Sequence, residues 1–397
     1  MLFSDLKVVD AASFLAGPCA ATILSDYGAD VIKVEPPGGD RHRSIAAGHP
    51  SDYSWQLTDR NRRDLCLDIS QPQGREVLFR LLEDADVFLV NFSAAQMQRF
   101  GLEWETLHAR FPRLVYAEIS AYGLEGPDAE KRAFDLTGWF ARTGILDMMR
   151  DKDVPPTLPA GGVGDHATGM TLFAGVMMAL YKRDRTGEGS MVTTSLAAMG
   201  TWANGLNLQG VMAGVDGAAR RDQEGWSNPM QNIYQTADGE FMFLALQNIR
   251  RDWPRLIDAL NRPEWHERED LRAVKPLFRN RFEARRLIGE AVAELSAAEL
   301  GRRLTEIGIV HSVVQKNADV INDPQLIANG VIVPFDSGLP GAERTFATPI
   351  QMSDEPQRAP QKAPNMGEHT RAILEEHGYD AAAIDELIAA NLVVQAD

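Results

Sequence analysis

Asp165 follows Gly162 and Gly164 and stands at the entrance to a long apolar stretch. A carboxylate at such a junction has two readings. It can cap the following helix by accepting amides of the next turn. It can also act as a nucleophile, since carboxylates form acyl intermediates and nearby backbone amides can donate to the resulting oxyanion. The two readings are compatible. Asp135, after Ala133 and Phe134, is a second carboxylate at a predicted helix start, and its plain reading is again a cap. His166 adjoins Asp165 and reads as a surface or capping residue, with a helper role as the alternative.

The basic residues gather in loops. Arg41, His42 and Arg43 follow a Pro/Gly turn, Arg60, Arg62 and Arg63 crowd one short segment, and Arg99 and Arg132 stand near predicted strand ends. The chain carries a formal net charge of −16, which argues against nucleic acid or an anionic membrane as partner. An acidic protein that binds an anionic ligand must concentrate its arginines locally, and arginine at loops suits phosphate groups.

Other chemistries find little support. There is no GxxxxGK[ST] loop, and Gly169 is misplaced for a dinucleotide fingerprint beginning at Gly162. The eight histidines form no nucleophile triad or metal motif. Cys19 and Cys66 have no zinc spacing and read as buried free thiols in a reducing compartment. No apolar run approaches the length needed to span a bilayer, and the N-terminus lacks a signal pattern. These features predict a cytoplasmic protein without a metal.

The elements that must position these residues alternate. Strands are predicted at Lys7–Ala11, Asp30–Glu35, Val87–Val90, Leu114–Ile119 and Met191–Thr194. Helices fall between them at 16–27, 72–84 and 168–185, with another at 204–214. Apolar strands separated by amphipathic helices imply an α/β fold whose parallel sheet is covered on both faces. Ligands of such sheets bind at loops beyond the carboxyl ends of the strands. The pattern changes near residue 225. A strand at Phe241–Leu246, short charged helices from Trp253 to about Ile307 and a strand at Ile309–Gln315 predict a smaller α/β domain over 225–325. The large domain covers 1–215. Residues 330–397 form a linker and C-terminal segment, extended where Pro349, Pro356, Pro360 and Pro364 recur and helical at 367–377 and 380–391.

Taken in order, these blocks resemble the class III CoA transferase and racemase superfamily over most of the chain. The resemblance rests on Val8–Asp10 with Ala16, Gly17 and Pro18; on Leu24 through Asp40; and on Asn61, Arg62 and Arg63 with Leu67 and Asp68. It continues through Asn91 and Phe92 to Leu102, Ser120–Gly123 with Gly126 and Pro127, Gly164 and Asp165 with Gly169, and Tyr181–Gly189. Val320–Gln325 and Gly367–Thr370 complete it. It implies a Rossmann-like large domain built from both chain ends, a small domain, and an interlocked homodimer around which the proline-rich stretch would run. It implies transfer of CoA from an acyl-CoA to a carboxylic acid, with coenzyme A thioesters as substrates and no permanently bound cofactor. By position it makes Asp165 the nucleophile and Asp135 its support. Phe14, Leu15 and Ala16 would lie near the CoA thiol end, and Arg62, Asn91, Phe92, Arg99 and Arg132 would contact CoA.

Three departures refine this. Leu15 stands where formyl-CoA transferases have Gln, and the segment Glu224–Pro229 replaces their glycine-rich lid. Phe134 stands where racemases have His, which favours transfer over racemisation, the main rival; a non-catalytic CoA-binding paralogue is the rival of another class. Trp139, Phe140 and Trp226 suggest a bulky or aromatic acyl group, such as a 2-hydroxyacyl group.

Overall fold

In the computed structural model, which describes residues 1–46, 48–151, 153–215 and 228–396, the strand and helix alternation produces one seven-stranded sheet. Its strands are β1 (Lys7–Asp10), β2 (Asp30–Glu35), β3 (Arg63–Leu67), β4 (Val87–Val90), β5 (Val115–Ser120), β6 (Met191–Ser195) and, from the far end of the chain, Val393–Val394. The C-terminal strand lies beside β3, followed in order by β2, β1, β4, β5 and β6. Every neighbouring pair is parallel except the antiparallel edge formed by Val393–Val394 on β3.

Both faces are covered, as buried parallel strands require. The helices that matter here are α1 (Ala16–Asp26), α2 (Tyr53–Thr58), α3 (Pro72–Leu82), α4 (Ala94–Phe100), α5 (Trp104–Arg110), α6 (Ile145–Met148), α7 (Val163–Thr186), α8 (Leu196–Ala203) and α9 (Gly205–Met212). Val8, Val31, Val87, Leu89 and Ile119 pack on α1 and α7 through Ile23, Leu24, Leu172 and Val176. Their alternates Val9, Ile32, Val34, Phe88 and Val90 pack on the other face with Leu78 and Leu81 of α3 and with Ile373, Leu374 and Ile384 from the C-terminal helices. The period of two along each strand sorts these sets. The strand order reverses beside β1, which sits between β2 and β4. That leaves a crevice at the carboxyl ends of β1 and β4, where ligands of this architecture bind.

The described residues divide into two compact units. The first holds 1–147, 158–215 and 324–396; the second holds 148–157 and 228–323. In the second, an antiparallel sheet of β7 (Gln231–Gln235), β8 (Phe241–Ala245) and β9 (Val310–Val313) is backed by helices Ile249–Ala259, Arg281–Val292 and Ala297–Glu306. Tyr234, Met242, Leu244, Trp253, Leu256, Ile288 and Leu300 form its own core.

The proline-rich stretch stays with the first unit. Ile350 O accepts the Tyr27 hydroxyl at 2.6 Å, Arg358 N donates to Asp26 O at 2.6 Å, and Ala363 N donates to Gln56 Oε1 at 2.9 Å.

Candidate active site

Asp165 is not the cap of its helix. Gly162, at φ 93°, holds the N-cap position of α7 without a side-chain bond, and Asp165 is the third helical residue. An acidic group in a first turn is favoured there by the helix dipole. The cap comes from elsewhere in the chain. Oδ2 of buried Asp135 accepts Gly162 N at 2.7 Å and Gly164 N at 3.1 Å. Asp135 in turn makes no cap bond to the π-helical turn Leu136–Ala141 that it precedes. The expectation of two self-capping helices is thereby corrected: one carboxylate caps across the fold, and the other makes no hydrogen bond or ion pair among the described residues. The same bonds engage two amides of the glycine run that could otherwise donate to a substrate oxyanion.

Close packing fixes this junction. A Cβ on Gly164 would lie 2.6 Å from Trp139 Cγ and 2.9 Å from Asp135 Cβ, and one on Gly169 would lie 2.5 Å from Ala16 O. Gly164 therefore lets the start of α7 reach Trp139 and Asp135, while Gly169 lets α7 press on α1. Burial pushes the Asp165 carboxyl up to about 7, the nearby Asp135 charge adds to the rise, and His42 opposes it. A half-buried carboxyl with a raised pKa beside a second carboxylate is a recurring mark of functional sites. His166 donates or accepts no bond with Asp165; its Nδ1 lies 2.8 Å from Gly162 O. A carbonyl only accepts, so Nδ1 carries the proton there.

The loop before α1 forms the next part of the site. Phe14 has φ 64°, in the left-handed region. Its ring meets that of Phe134 edge-on, with centroids 5.6 Å apart. Leu15 and Ala16 are half-buried, and a Cβ at Gly162 would lie 3.6 Å from Leu15 Cδ1. Leu15 thus borders the turn that leads to Asp165.

The residues carried over for CoA fall into different settings. Arg99 and Arg132 are exposed, and Phe92 is half-buried with its ring 6.1 Å from that of Phe100. Asn91 makes two bonds to Ser13: Oδ1 accepts Ser13 N at 2.9 Å and Nδ2 donates to Ser13 O at 2.9 Å. Arg62 is fully buried. It reaches Asp10 Oδ2 at 2.8 Å, Asp59 Oδ1 at 2.9 Å and Thr22 Oγ1 at 2.7 Å, and it also donates to Pro18 O. Arg60 forms a paired contact with Asp26, and Arg43 pairs with Glu35 while stacking 3.7 Å above Trp55. The loop arginines thus separate by partner: those facing buried aspartates turn inward, while Arg41, Arg99 and Arg132 stay exposed.

Sequence reasoning passed over the buried polar residues beneath the site. Lys33, on β2, donates to Asp40 Oδ2 at 2.9 Å. The signal was a lysine inside an otherwise apolar strand, where an ammonium persists only with a partner. Trp139 packs edge-on to Phe140, and its indole nitrogen is buried without a partner among the described residues. Residues 224–227, including Trp226 and most of the expected lid segment, lie outside the described residues. Among the described residues no group of three or more His, Cys, Asp or Glu could hold a metal ion, and no helix is long and apolar enough to cross a membrane.

The family model for CoA-transferase family III matches residues 3–370. The chain belongs to this family. The (R)-2-hydroxy-4-methylpentanoate CoA-transferase of Clostridioides difficile is 30% identical to this family III chain, over 97% of it and 98% of the relative. The cinnamoyl-CoA:phenyllactate CoA-transferase of Clostridium sporogenes is 28% identical, over 97% and 96%. The crystal structure of a CaiB/BaiF family protein from Brucella suis matches with a TM-score of 0.83 and 28% identity, covering 94% of this chain and 98% of that one. The Rossmann-like architecture is thus shared with that solved CaiB/BaiF family protein.

Proposed function

We propose that this family III enzyme moves CoA from an acyl-CoA donor to a carboxylic acid acceptor through intermediates on Asp165. The observation that carries this reading is the uncommitted, half-buried Asp165 carboxyl at the start of α7, held in place by a different carboxylate, Asp135. Ionised Asp165 attacks the thioester carbonyl, forming an acyl–oxygen bond and releasing CoA thiolate from the collapsing tetrahedral adduct. The thiolate then attacks the aspartyl carbonyl of the mixed anhydride, giving an aspartyl-CoA thioester and the free donor acid. The acceptor carboxylate attacks that thioester, and the thiolate returns to the acceptor's acyl carbon as Asp165 leaves. No net proton or electron is gained or lost. Binding acceptor and intermediate side by side supplies the effective molarity that such exchanges need.

The acyl group we infer is a bulky or aromatic 2-hydroxyacyl group, in keeping with the 2-hydroxy-4-methylpentanoate and phenyllactate in the names of the two relatives. Phe14, Phe134, Leu15 and Trp139 supply apolar surface around the turn that carries Asp165. Phe134 also presents no base where a racemase would need one. We infer a homodimer as well, because Trp202, Leu206 and Met212 on α8 and α9 are each at least 80% exposed, and contiguous apolar side chains of this size mark interaction surfaces. Arg99 and Arg132, exposed and cationic, are the proposed contacts for CoA phosphates.

The test is a panel of acyl-CoA donors against carboxylic acids, with mass spectrometry of the Asp165 peptide. Donor-dependent acylation of Asp165, abolished in Asp165→Asn, supports the reading. Transfer that persists in Asp165→Asn overturns it.

A further inference from the structure

In the loop from Ala12 to Phe14, the N–H and C=O of Ala12 and Ser13 and the N–H of Phe14 are all claimed by side chains. Ala12 N donates to Asp10 Oδ1 at 3.0 Å, and Ala12 O accepts from Lys33 Nζ. Asn91 takes both Ser13 N and Ser13 O. Asp40 Oδ1 accepts Ser13 Oγ at 3.1 Å, Phe14 N at 3.2 Å and His42 N at 2.9 Å, while its Oδ2 faces Lys33 Nζ. Asp40 N in turn donates to Glu35 Oε2 at 2.6 Å. Lys33 and Asp40 are both buried.

This arrangement spends much to hold little chain. A buried ion pair is a weak source of stability, because desolvation offsets its attraction. Its other use is to specify one geometry. The geometry specified is unusual: Phe14 sits at φ 64°, a conformation that a bulky residue adopts only when its surroundings impose it. Its consequence is also local. Phe14 in that conformation places its ring against Phe134, and Phe134 immediately precedes the carboxylate that caps α7.

We propose that Asp40, backed by Lys33, is a positioning residue for the transfer reaction. It holds Phe14 in the left-handed conformation against Phe134 and so fixes the wall beside Asp165. This rests on the transfer reading above for its chemistry, but not for the clamp itself. Asp40 touches no reacting atom; it acts through the loop.

The test uses the full chain and the donor and acceptor that the wild type turns over fastest. Asp40→Ala removes the acceptor of Ser13 Oγ, Phe14 N and His42 N and takes from buried Lys33 its hydrogen-bonded counter-charge. The double variant Lys33→Met with Asp40→Ala removes that second effect should the single variant fold poorly. Hydrogen exchange of the 12–15 peptide reads the clamp without activity. It is expected to quicken by at least about tenfold, as loss of the held hydrogen bonds implies. The turnover per acylatable Asp165, counted by mass spectrometry, is expected to fall on the order of 10²-fold, the loss that a misplacement of about 1 Å can cause. KM for the thioester should change by less than about threefold, since uniform binding is not what the clamp supplies.

Phe14→Gly, which adopts a positive φ freely, is expected to retain more turnover than Phe14→Ala. Unchanged exchange in the double variant overturns the clamp. Faster exchange with unchanged turnover per acylatable site overturns the positioning role. A wild type that never acylates Asp165 overturns the transfer reading instead, and loop exchange then still decides the clamp.

Discussion

Asp135 accepts the backbone amide of Gly164 at 3.1 Å, one residue ahead of Asp165. One carboxylate thus sets where the other stands and also adds to the rise in its pKa. The positional and electrostatic effects can be separated by experiment.

Asp135→Asn keeps an oxygen able to accept the Gly162 and Gly164 amides but removes the like charge. In the wild type, kcat/KM is expected to fall as pH drops below about 7, where Asp165 takes up its proton. In the variant that acidic limb moves to lower pH, though only part of the way, because burial is the larger cause of the rise. Stability carries the opposite sign. The folded protein holds this proton more tightly than the unfolded chain, so the contribution of Asp165 is full below its ordinary 3.8 and is lost as pH rises to about 7. Rate profiles from pH 5 to 9 and thermal melts check both; an unmoved limb would show that the Asp135 charge is not felt at Asp165.

Gly164→Ala tests the packing of the same junction. Its Cβ meets Trp139 and Asp135 near their backbones rather than at a flexible tip, so the neighbours must move. Overpacking of this kind costs about 1–3 kcal/mol. Denaturant unfolding should show that loss, and turnover should drop further than the loss of folded protein explains.

Arg62 and Arg99 should respond differently to alanine substitution. Arg62→Ala leaves Asp10 and Asp59 buried without their shared cation and is expected to cost about 3–5 kcal/mol of stability. Arg99 is exposed, so Arg99→Ala should melt as the wild type does. Its expected effect is a rise of about tenfold in KM for acyl-CoA, the value of one charged hydrogen bond. Melting curves paired with steady-state kinetics would separate the two; equal melting losses would refute the distinction.

Trp202→Asp with Leu206→Asp places charge on the exposed apolar side of α8 and α9. Light scattering is expected to show a dimer in the wild type and a shift of at least about tenfold in the dimer dissociation constant in the variant, since apolar burial drives such association. A monomeric wild type would refute the dimer.

The sheet was legible because its strands are apolar runs broken by Gly and Pro turns, as Asp30–Glu35 shows by matching β2 residue for residue. β3 escaped notice because Arg63 and Asp64 open it with charges whose partners, Asp30 and the amide of Gly367, lie far away in sequence. The start of α7 was placed at residue 168 rather than 163 because Gly162, Gly164 and Gly169 resemble a loop; only the close approach of Trp139 and Ala16 explains glycine there. Asp165 and Asp135 were brought together only by the resemblance to the transferase family; taken singly, each read as a helix cap. That one caps the other's helix was not legible, because the bond spans 27 residues and local rules pair neighbours.

The C-terminal strand Val393–Val394 closes the sheet on β3, and Ile373, Leu374 and Ile384 complete the core beneath it. During synthesis, β3 is therefore made more than three hundred residues before the strand that covers its edge. Until then the growing polypeptide exposes an open edge and an unfilled apolar face, the features that recruit wrong partners. Ribosome-bound chains halted before residue 370 should accordingly depend on chaperones more heavily than chains released whole.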